Sequence, residues 1–195
     1  MPNQKELDKT YLQMSKTWGR LSKAERKKVG CLIVKDGQII SDGYNGTPAG
    51  YDNNCETVNE NFHPLAKNKL ETRPEVLHAE SNALMKLAKS TNSSADSTVY
   101  LTMSPCFECS KLMIQAGVKR LVYSEAYRNS DGIEFLKENG IEICHYPPDT
   151  ISNEDLVSGF TEATIAAQEY CKIFTEEHPS QKQKKRDLCE KEGSL

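Results

Sequence analysis

The sequence predicts an α/β fold with three layers (α/β/α), in which helices cover both faces of a mixed five-stranded sheet. Three observations support this prediction. Short apolar runs alternate with amphipathic segments over residues 29–144. An Asp-Gly pair at 36–37 joins the first two runs as a hairpin turn. A helical segment separates the last two runs, so those two strands are parallel, because parallel neighbours need a crossover connection.

The first half of the chain supplies a helix, a hairpin and a long connection. The helix is predicted over residues 7–21, where apolar side chains recur on one face. A buried strand follows at 29–34, with its antiparallel partner at 39–44. Residues 46–77 are polar and rich in Asn, Gly and Pro. A structureless loop of this length is uncommon in a compact domain, so a functional loop is favoured over a disordered insert.

The second half alternates helices and strands. The predicted order is helix 78–89, strand 98–102, helix 106–116, strand 119–123, helix 132–139 and strand 141–144. Gly117 and Gly140 follow two of these helices, as is usual where a helix ends in the left-handed conformation. Residues 1–150 therefore form one predicted domain. Residues 151–195 supply a helix at about 153–174 and a solvated tail, not a separate domain.

Composition restricts the possible functions. The 195 residues carry a formal charge of −3, which argues against a protein that binds long nucleic acid and favours one that binds a small substrate. Seven irregularly spaced cysteines argue against a disulfide framework and for a reducing cytoplasm. The sequence shows neither a membrane-spanning apolar stretch nor the apolar core of a secretory signal at its start.

Two short motifs carry the chemistry. An H-x-E motif at 78–80 and a P-C-x-x-C motif at 105–109 each stand at the start of a predicted helix. Cysteines three apart on a helix share a face, and a helix N-terminus favours the thiolate that zinc needs. His78, Cys106 and Cys109 are therefore candidate Zn²⁺ ligands, and three protein ligands leave the fourth position to water.

Glu80 is the candidate catalytic residue, because it stands two residues from His78 and is not needed as a ligand. The two motifs together are the signature of zinc nucleobase deaminases. They predict attack of a zinc-bound hydroxide at C4 of a cytosine, with Glu80 shuttling the proton to N3 and to the departing amine. The alternative is a structural zinc knuckle in which Glu80 is incidental.

With these residues the chain resembles the deoxycytidylate (dCMP) deaminase family over about residues 29–143. The more selective similarities lie at 43–50, 68–72, 78–83 and 115–119. The resemblance implies a cytidine deaminase-like fold and a zinc-dependent hydrolase. It also implies conversion of dCMP to dUMP, the precursor used for thymidylate synthesis.

The same resemblance implies allosteric control in a homo-oligomer, typically a hexamer, activated by dCTP with Mg²⁺ and inhibited by dTTP. Gly43, Gly46 and Gly50 are candidate effector-binding residues, because glycine lets backbone N–H groups approach phosphates closely. The alternative for this run is a tight turn without a ligand. Lys69 and Thr72 are candidates by their position in the loop.

The resemblance also implies substrate contacts. The amide of Asn45 is expected to bind the sugar 3′-hydroxyl, and the backbone of Ala79 to meet the pyrimidine edge. Ser104 is expected to contact the leaving amine or the nucleotide. Tyr127 resembles an aromatic residue that lines the pocket in related deaminases; the alternative is a partly buried surface tyrosine.

The sequence leaves two further assignments open. Arg26 or Lys28, just before the first strand, is a candidate for binding the 5′-phosphate, with an ordinary solvated charge as the alternative. Some family members carry a second, structural zinc, for which Cys55 and His63 are candidates. The sequence offers no complete set of four ligands for that zinc.

Two other functions use the same residues. One is a deaminase of tRNA adenosine, single-stranded nucleic acid or free cytidine. The acidic balance and the long loop count against nucleic acid, and the helix between the last strands counts against the free-cytidine branch. The other is a non-catalytic zinc-stabilised nucleotide sensor, which would keep the three ligands and have no use for Glu80.

Overall fold

The helices and strands follow the predicted order, with one addition inside the long connection. The structure is a computed structural model that describes residues 2–58 and 70–148. In chain order its elements are α1 (Gln4–Gly19), β1 (Gly30–Lys35), β2 (Gln38–Tyr44), β3 (Glu56–Val58), β4 (Leu70–Thr72), α2 (Ala79–Leu87), β5 (Thr98–Met103), α3 (Phe107–Gln115), β6 (Arg120–Glu125), α4 (Asp131–Glu138) and β7 (Glu142–His145). The helix and tail expected within 151–195 lie outside the described residues.

The main sheet has five strands in the order β2-β1-β5-β6-β7. Strand β1 is antiparallel to both of its neighbours, β2 and β5. The pairs β5–β6 and β6–β7 are parallel. Helix α3 connects the first of these pairs and α4 the second, as parallel neighbours require. The predicted mixed sheet with a parallel last pair is therefore confirmed.

Apolar side chains on both faces of the sheet form the core. Cys31 and Ile33 of β1 pack on one face with residues of α2, α3 and α4. Leu32 and Val34 pack on the other face with Leu12 of α1. Strand β1 reads as a continuous apolar run because it is covered on both sides. Within the described residues, no helix has the length and apolar character needed to span a bilayer.

Helix α1 is fixed at its start and along its buried side. Asn3 Oδ1 accepts a hydrogen bond from the Glu6 N–H (3.0 Å), and Asn3 N–H donates to Glu6 Oε2 (2.8 Å). This capping box explains why the helix begins three residues before the predicted position. On the buried side, the Arg120 guanidinium donates two hydrogen bonds to Asp8 (2.8 and 2.7 Å), and the Tyr100 hydroxyl donates a third (2.9 Å).

The connection from 46 to 77 is partly ordered into secondary structure. Strands β3 and β4 pair antiparallel as a separate two-stranded sheet, called here the small sheet. Gly46 and Leu77 exchange two backbone hydrogen bonds (3.1 and 2.9 Å), which close the connection at its base. Three-residue strands are too short to give a clear alternating pattern, so the sequence did not predict them.

Candidate zinc and active site

The three predicted ligands converge where α2 and α3 begin. His78 and Cys106 occupy the N-cap positions of α2 and α3, with extended backbone. Cys109 lies in the first turn of α3 and is buried. His78 Nδ1 lies 3.5 Å from Cys106 Sγ and 3.4 Å from Cys109 Sγ. Motifs that are 28 residues apart in sequence therefore form one cluster.

The cluster fits a zinc ion. All three donor atoms lie within 4.8 Å of one another. Zinc–nitrogen and zinc–sulfur bonds of about 2.0–2.1 and 2.3 Å, in tetrahedral geometry, place a nitrogen and a sulfur about 3.6 Å apart. The two nitrogen–sulfur distances are close to this value. Among the described residues no fourth His, Cys, Asp or Glu joins the cluster.

Hydrogen bonds within the cluster shift the pKa values of the two cysteines in opposite directions. The pKa of Cys106 is lowered to about 3, because its thiolate accepts hydrogen bonds from the Cys109 thiol and from His78. The same bond to Cys106, together with burial, raises the pKa of Cys109. The hydrogen bond to Cys106 also raises the pKa of His78. One thiolate is thus formed at neutral pH, which suits metal binding because ligands must lose their protons.

Glu80 lies in the first turn of α2, beside the cluster and outside it. It is only 5% exposed, and burial raises the pKa of its carboxyl group. A hydrogen bond with Cys109 and the charge of His78 act in the opposite direction. Glu80 is thus a buried carboxyl group beside the candidate ligands, with a pKa above its ordinary value.

Two glycines allow the ligand-bearing helix starts to pack closely. A Cβ atom on Gly43 of β2 would lie 2.1 Å from the carbonyl oxygen of Ala79. A Cβ atom on Gly132 of α4 would lie 2.4 Å from the carbonyl oxygen of Pro105. Only glycine leaves room for these contacts. A neighbouring element therefore packs directly against the backbone next to His78 and against the backbone next to Cys106.

Two of the predicted substrate residues, Ala79 and Ser104, lie next to the cluster in sequence, and the third, Tyr127, contacts Ser104. Ala79 is buried at the first position of α2. Ser104 is buried; its Oγ accepts a hydrogen bond from the Tyr127 N–H (2.7 Å), and its own N–H donates to the Glu125 carbonyl (2.8 Å). Tyr127 is half-buried, with the Arg128 guanidinium 5.4 Å from its ring centre. Their contacts with substrate stay predictions.

The side-chain amide of Asn45 forms hydrogen bonds with two backbone groups just before β1. Its Oδ1 accepts a hydrogen bond from the Val29 N–H (2.8 Å), and its Nδ2 donates to the Lys27 carbonyl (2.9 Å). One amide hydrogen and one lone pair remain for the predicted contact with a sugar hydroxyl. Asn45 therefore also stabilises the backbone conformation before β1, in addition to its predicted contact with substrate.

Arg26 lies in a basic cleft and contacts a residue predicted for a different ligand. Its guanidinium donates a hydrogen bond to Oγ1 of Thr72 (3.0 Å). Arg26 and Lys28 line a cleft of about 400 Å³ together with Lys16 and Arg20. Lys16 of α1 and Arg20, its C-cap, were not predicted, although their spacing of four residues places them on one face and is the signal that finds them.

The three predicted effector glycines occupy three different settings. Gly43 is buried in β2 under α2, and Gly46 pairs with Leu77. Gly50 is exposed with φ +94°, a left-handed conformation that favours glycine. Each position thus has a conformational or packing reason, and effector binding stays a prediction. Lys69 lies outside the described residues.

Cys55, a candidate for the second zinc, is a buried thiol. Its Sγ–H donates to the Asn53 carbonyl (3.8 Å), and burial raises its pKa. A buried thiol of this kind behaves as a small apolar side chain. The other candidate, His63, lies outside the described residues.

Comparisons with known proteins agree with the fold and the cluster. A family model described as the cytidine and deoxycytidylate deaminase zinc-binding region matches residues 5–125. The deoxycytidylate deaminase of Enterobacteria phage T4 is 34% identical over 171 residues, covering 71% of this chain and 89% of that protein. The deoxycytidylate deaminase of Homo sapiens is 38% identical over 113 residues, covering 56% of this chain and 60% of that protein.

A solved structure is similar over most of its length. The crystal structure of dCMP deaminase from the cyanophage S-TIM5, in complex with dCMP and dUMP, superposes with a TM-score of 0.65. It is 39% identical in sequence, and the match covers 74% of this chain and 99% of that one. The family that the sequence motifs suggested is thereby confirmed: the chain belongs to the cytidine and deoxycytidylate deaminase family.

Proposed function

We propose that this chain catalyses the hydrolytic deamination of dCMP to dUMP and ammonia, with zinc held by His78, Cys106 and Cys109. The observation that carries the proposal is the buried Glu80 beside three converging metal ligands. The names of the phage T4 and human relatives, and the dCMP and dUMP in the cyanophage structure, support dCMP as the substrate.

The proposed reaction replaces the C4 amino group of the pyrimidine with the oxygen of water. Bound zinc supplies a strong nucleophile by lowering the pKa of a coordinated water to about 7. Glu80 accepts a proton from the attacking water and donates it to N3 of the pyrimidine. It then carries the second proton to the amino group, which leaves as ammonia. Burial raises the pKa of Glu80, which makes its carboxylate a stronger base towards the attacking water.

The remaining residues of the site hold the nucleotide. We place the pyrimidine edge against the backbone of Ala79 and near Ser104, with Tyr127 at the side of the pocket. The free hydrogen of the Asn45 amide is available for the 3′-hydroxyl. The excess of positive charge in the cleft around Arg26 supports its assignment to the 5′-phosphate.

We further propose that dCTP with Mg²⁺ activates the enzyme and that dTTP inhibits it. The proposed enzyme is a hexamer, and its product dUMP supplies thymidylate synthesis. Gly43, Gly46, Gly50, Lys69 and Thr72 are the proposed effector residues. The hydrogen bond from Arg26 to Thr72 supports this, because it joins a proposed effector residue to a proposed substrate residue. Free thiols among the described cysteines support a reducing, cytoplasmic setting.

Ammonia release from four substrates tests the proposed reaction. We expect turnover of dCMP to exceed that of CMP, deoxycytidine and a tRNA anticodon stem, and to disappear when a chelator removes zinc. Preferred turnover of the tRNA stem or of deoxycytidine would assign the chain to another branch of the family. Tight binding of dTTP with no turnover of any substrate would identify a nucleotide sensor instead.

A separate measurement tests regulation. The rate of dCMP turnover is compared alone, with dCTP plus Mg²⁺, and with dTTP. We expect a rise with dCTP and a fall with dTTP, at a dCMP concentration below KM. Equal rates under the three conditions would remove the proposed regulation and leave the proposed reaction in place.

A further inference from the structure

Glu56, the first residue of β3, is a buried carboxylate that the proposed reaction does not use. It is only 6% exposed. Its Oε1 accepts hydrogen bonds from the N–H groups of Glu25 and Arg26 (3.2 Å each), and its Oε2 accepts one from Glu25 (3.1 Å). A buried carboxylate is costly unless hydrogen bonds satisfy it. Glu56 is therefore a fixed acceptor for two consecutive backbone N–H groups.

Thr72 holds the side chain of the same arginine. Within the small sheet, Thr72 of β4 stands directly opposite Glu56 of β3. Its Oγ1 accepts the hydrogen bond from the Arg26 guanidinium at 3.0 Å. One cross-strand pair thus holds both ends of Arg26: Glu56 the backbone, and Thr72 the side chain.

The segment that Glu56 holds leads towards the catalytic centre. Lys27, the next residue, forms an ion pair with Glu125, and its carbonyl accepts the hydrogen bond from Asn45. The Glu125 carbonyl in turn accepts from the N–H of Ser104, two residues before Cys106. Hydrogen bonds and an ion pair thus join the small sheet to the start of α3.

We propose that Glu56 is a positioning residue for binding of the substrate phosphate. By fixing the backbone at Glu25 and Arg26, and together with Thr72, it holds the Arg26 guanidinium in the basic cleft. A preorganised guanidinium binds phosphate more tightly, because less side-chain entropy is lost on binding. The inference rests on the proposed deamination of dCMP, and it gives the small sheet a function in binding.

The test compares two substrates that differ only in the phosphate. Steady-state kcat and KM are measured for dCMP and deoxycytidine with the zinc-loaded full chain and its Glu56→Ala variant. We expect KM for dCMP to rise about tenfold with little change in kcat, as for loss of ground-state binding. Values for deoxycytidine stay unchanged, because it has no phosphate. Glu56→Gln keeps one carbonyl acceptor and recovers most of the affinity.

A double variant asks whether Glu56 acts through Arg26. Residues that act as one unit are not additive, so Arg26→Ala combined with Glu56→Ala is expected to have the same KM as Arg26→Ala alone. Thr72→Val removes the acceptor for the guanidinium and raises KM for dCMP about threefold. Thr57→Val is the matched control, since Thr57 is an exposed threonine of the same small sheet.

Several outcomes would overturn the inference. An unchanged KM for dCMP in folded, zinc-containing Glu56→Ala would do so, as would an equal loss of kcat/KM on both substrates or an additive double variant. If Glu56→Ala does not fold, an unchanged KM in Thr72→Val, at an exposed position, overturns it instead. A wild-type chain that leaves dCMP intact contradicts the proposed function itself, and the same assay shows this separately.

Discussion

Helix α1 and the two helices that carry the candidate zinc ligands begin in different ways. Helix α1 starts with a complete capping box between Asn3 and Glu6. The N-cap residues of α2 and α3 are His78 and Cys106, and neither side chain forms a capping hydrogen bond. At the candidate site the N-cap side chains are candidate zinc ligands, and the N–H groups of the first turn favour anionic ligands there.

The two regions are also fixed to the sheet in different ways. Helix α1 is held by the buried ion pair of Asp8. The starts of α2 and α3 are held by backbone contact over Gly43 and Gly132. Helix α1 thus carries a capping box and a buried ion pair that stabilise the fold. The close backbone contacts of α2 and α3 instead fix the positions of candidate functional groups. Changes at the starts of α2 and α3 should reduce turnover, whereas changes at the start of α1 and at Asp8 should reduce only stability.

The largest effect is expected from Glu80→Gln. Loss of the proton shuttle should lower kcat for dCMP by about 10²- to 10⁴-fold, while zinc content and melting temperature stay close to wild type. Glu6→Gln is the matched change, because Glu6 is the acidic residue in the first turn of α1 and is exposed. It should leave kcat unchanged. Full ammonia release by zinc-containing Glu80→Gln would contradict the assignment of Glu80.

Asp8→Asn should give the largest loss of stability. Removing Asp8 from this buried ion pair leaves Arg120 with only the exposed Glu142 as a counter-charge, which costs about 3–5 kcal/mol of unfolding free energy. Urea denaturation measures this loss, and kcat per folded molecule should stay within about twofold of wild type because the pair lies on the α1 face. A large fall in kcat in the folded variant would break the proposed division between the two regions.

The stability contribution of Asp8 depends on pH, and the direction of its pKa shift gives the sign of that dependence. Burial alone would raise the pKa of Asp8, but hydrogen bonds from Arg120, Gln4 and Tyr100 outweigh it and lower the pKa. A carboxyl group with a lowered pKa stabilises the fold above its unfolded pKa, about 3.9, and loses this contribution as pH falls through the folded value. The stability difference between wild type and Asp8→Asn should therefore be constant near neutral pH and shrink below about pH 4.

Local patterns made the fold and the candidate zinc cluster predictable. Alternating apolar runs gave the five main strands, and two short motifs gave His78, Glu80, Cys106 and Cys109. Contacts between distant residues outside the two motifs were not predicted, because no local pattern reports them. The bond from Arg120 to Asp8 joins residues 112 apart, and that from Arg26 to Thr72 joins residues 46 apart.

Two local features were also missed, for different physical reasons. The small sheet has strands of three residues, which are too short to show a period. Helix α1 begins at Gln4 and not at the predicted residue 7, since the capping box of Asn3 and Glu6 extends it. That signal was present in the sequence, where a capping residue is followed three positions later by a glutamate.

A smaller effect is expected from Gly43→Ala. The new Cβ atom would lie 2.1 Å from the Ala79 carbonyl oxygen and 2.8 Å from the Ala83 nitrogen, so α2 must move away from β2. Overpacking of this kind costs about 1–3 kcal/mol of unfolding free energy. Turnover should fall as well, because His78 and Glu80 begin this helix. Gly46→Ala is the stability control, since its nearest neighbour is a Tyr44 ring atom at 3.9 Å.

The smallest effect is expected from Asn3→Ala, which removes the capping box of α1. The Glu6 N–H loses its acceptor, and the cost is about 1 kcal/mol of unfolding free energy in urea denaturation. Asn3→Ser should recover most of this loss, because serine is a comparable N-cap residue. kcat for dCMP should be unchanged, because α1 packs on the face of the sheet opposite to α2 and α3. A fall in kcat without loss of stability would mean that α1 also positions the catalytic centre, and the separation between a helix start built for stability and two built for chemistry would fail.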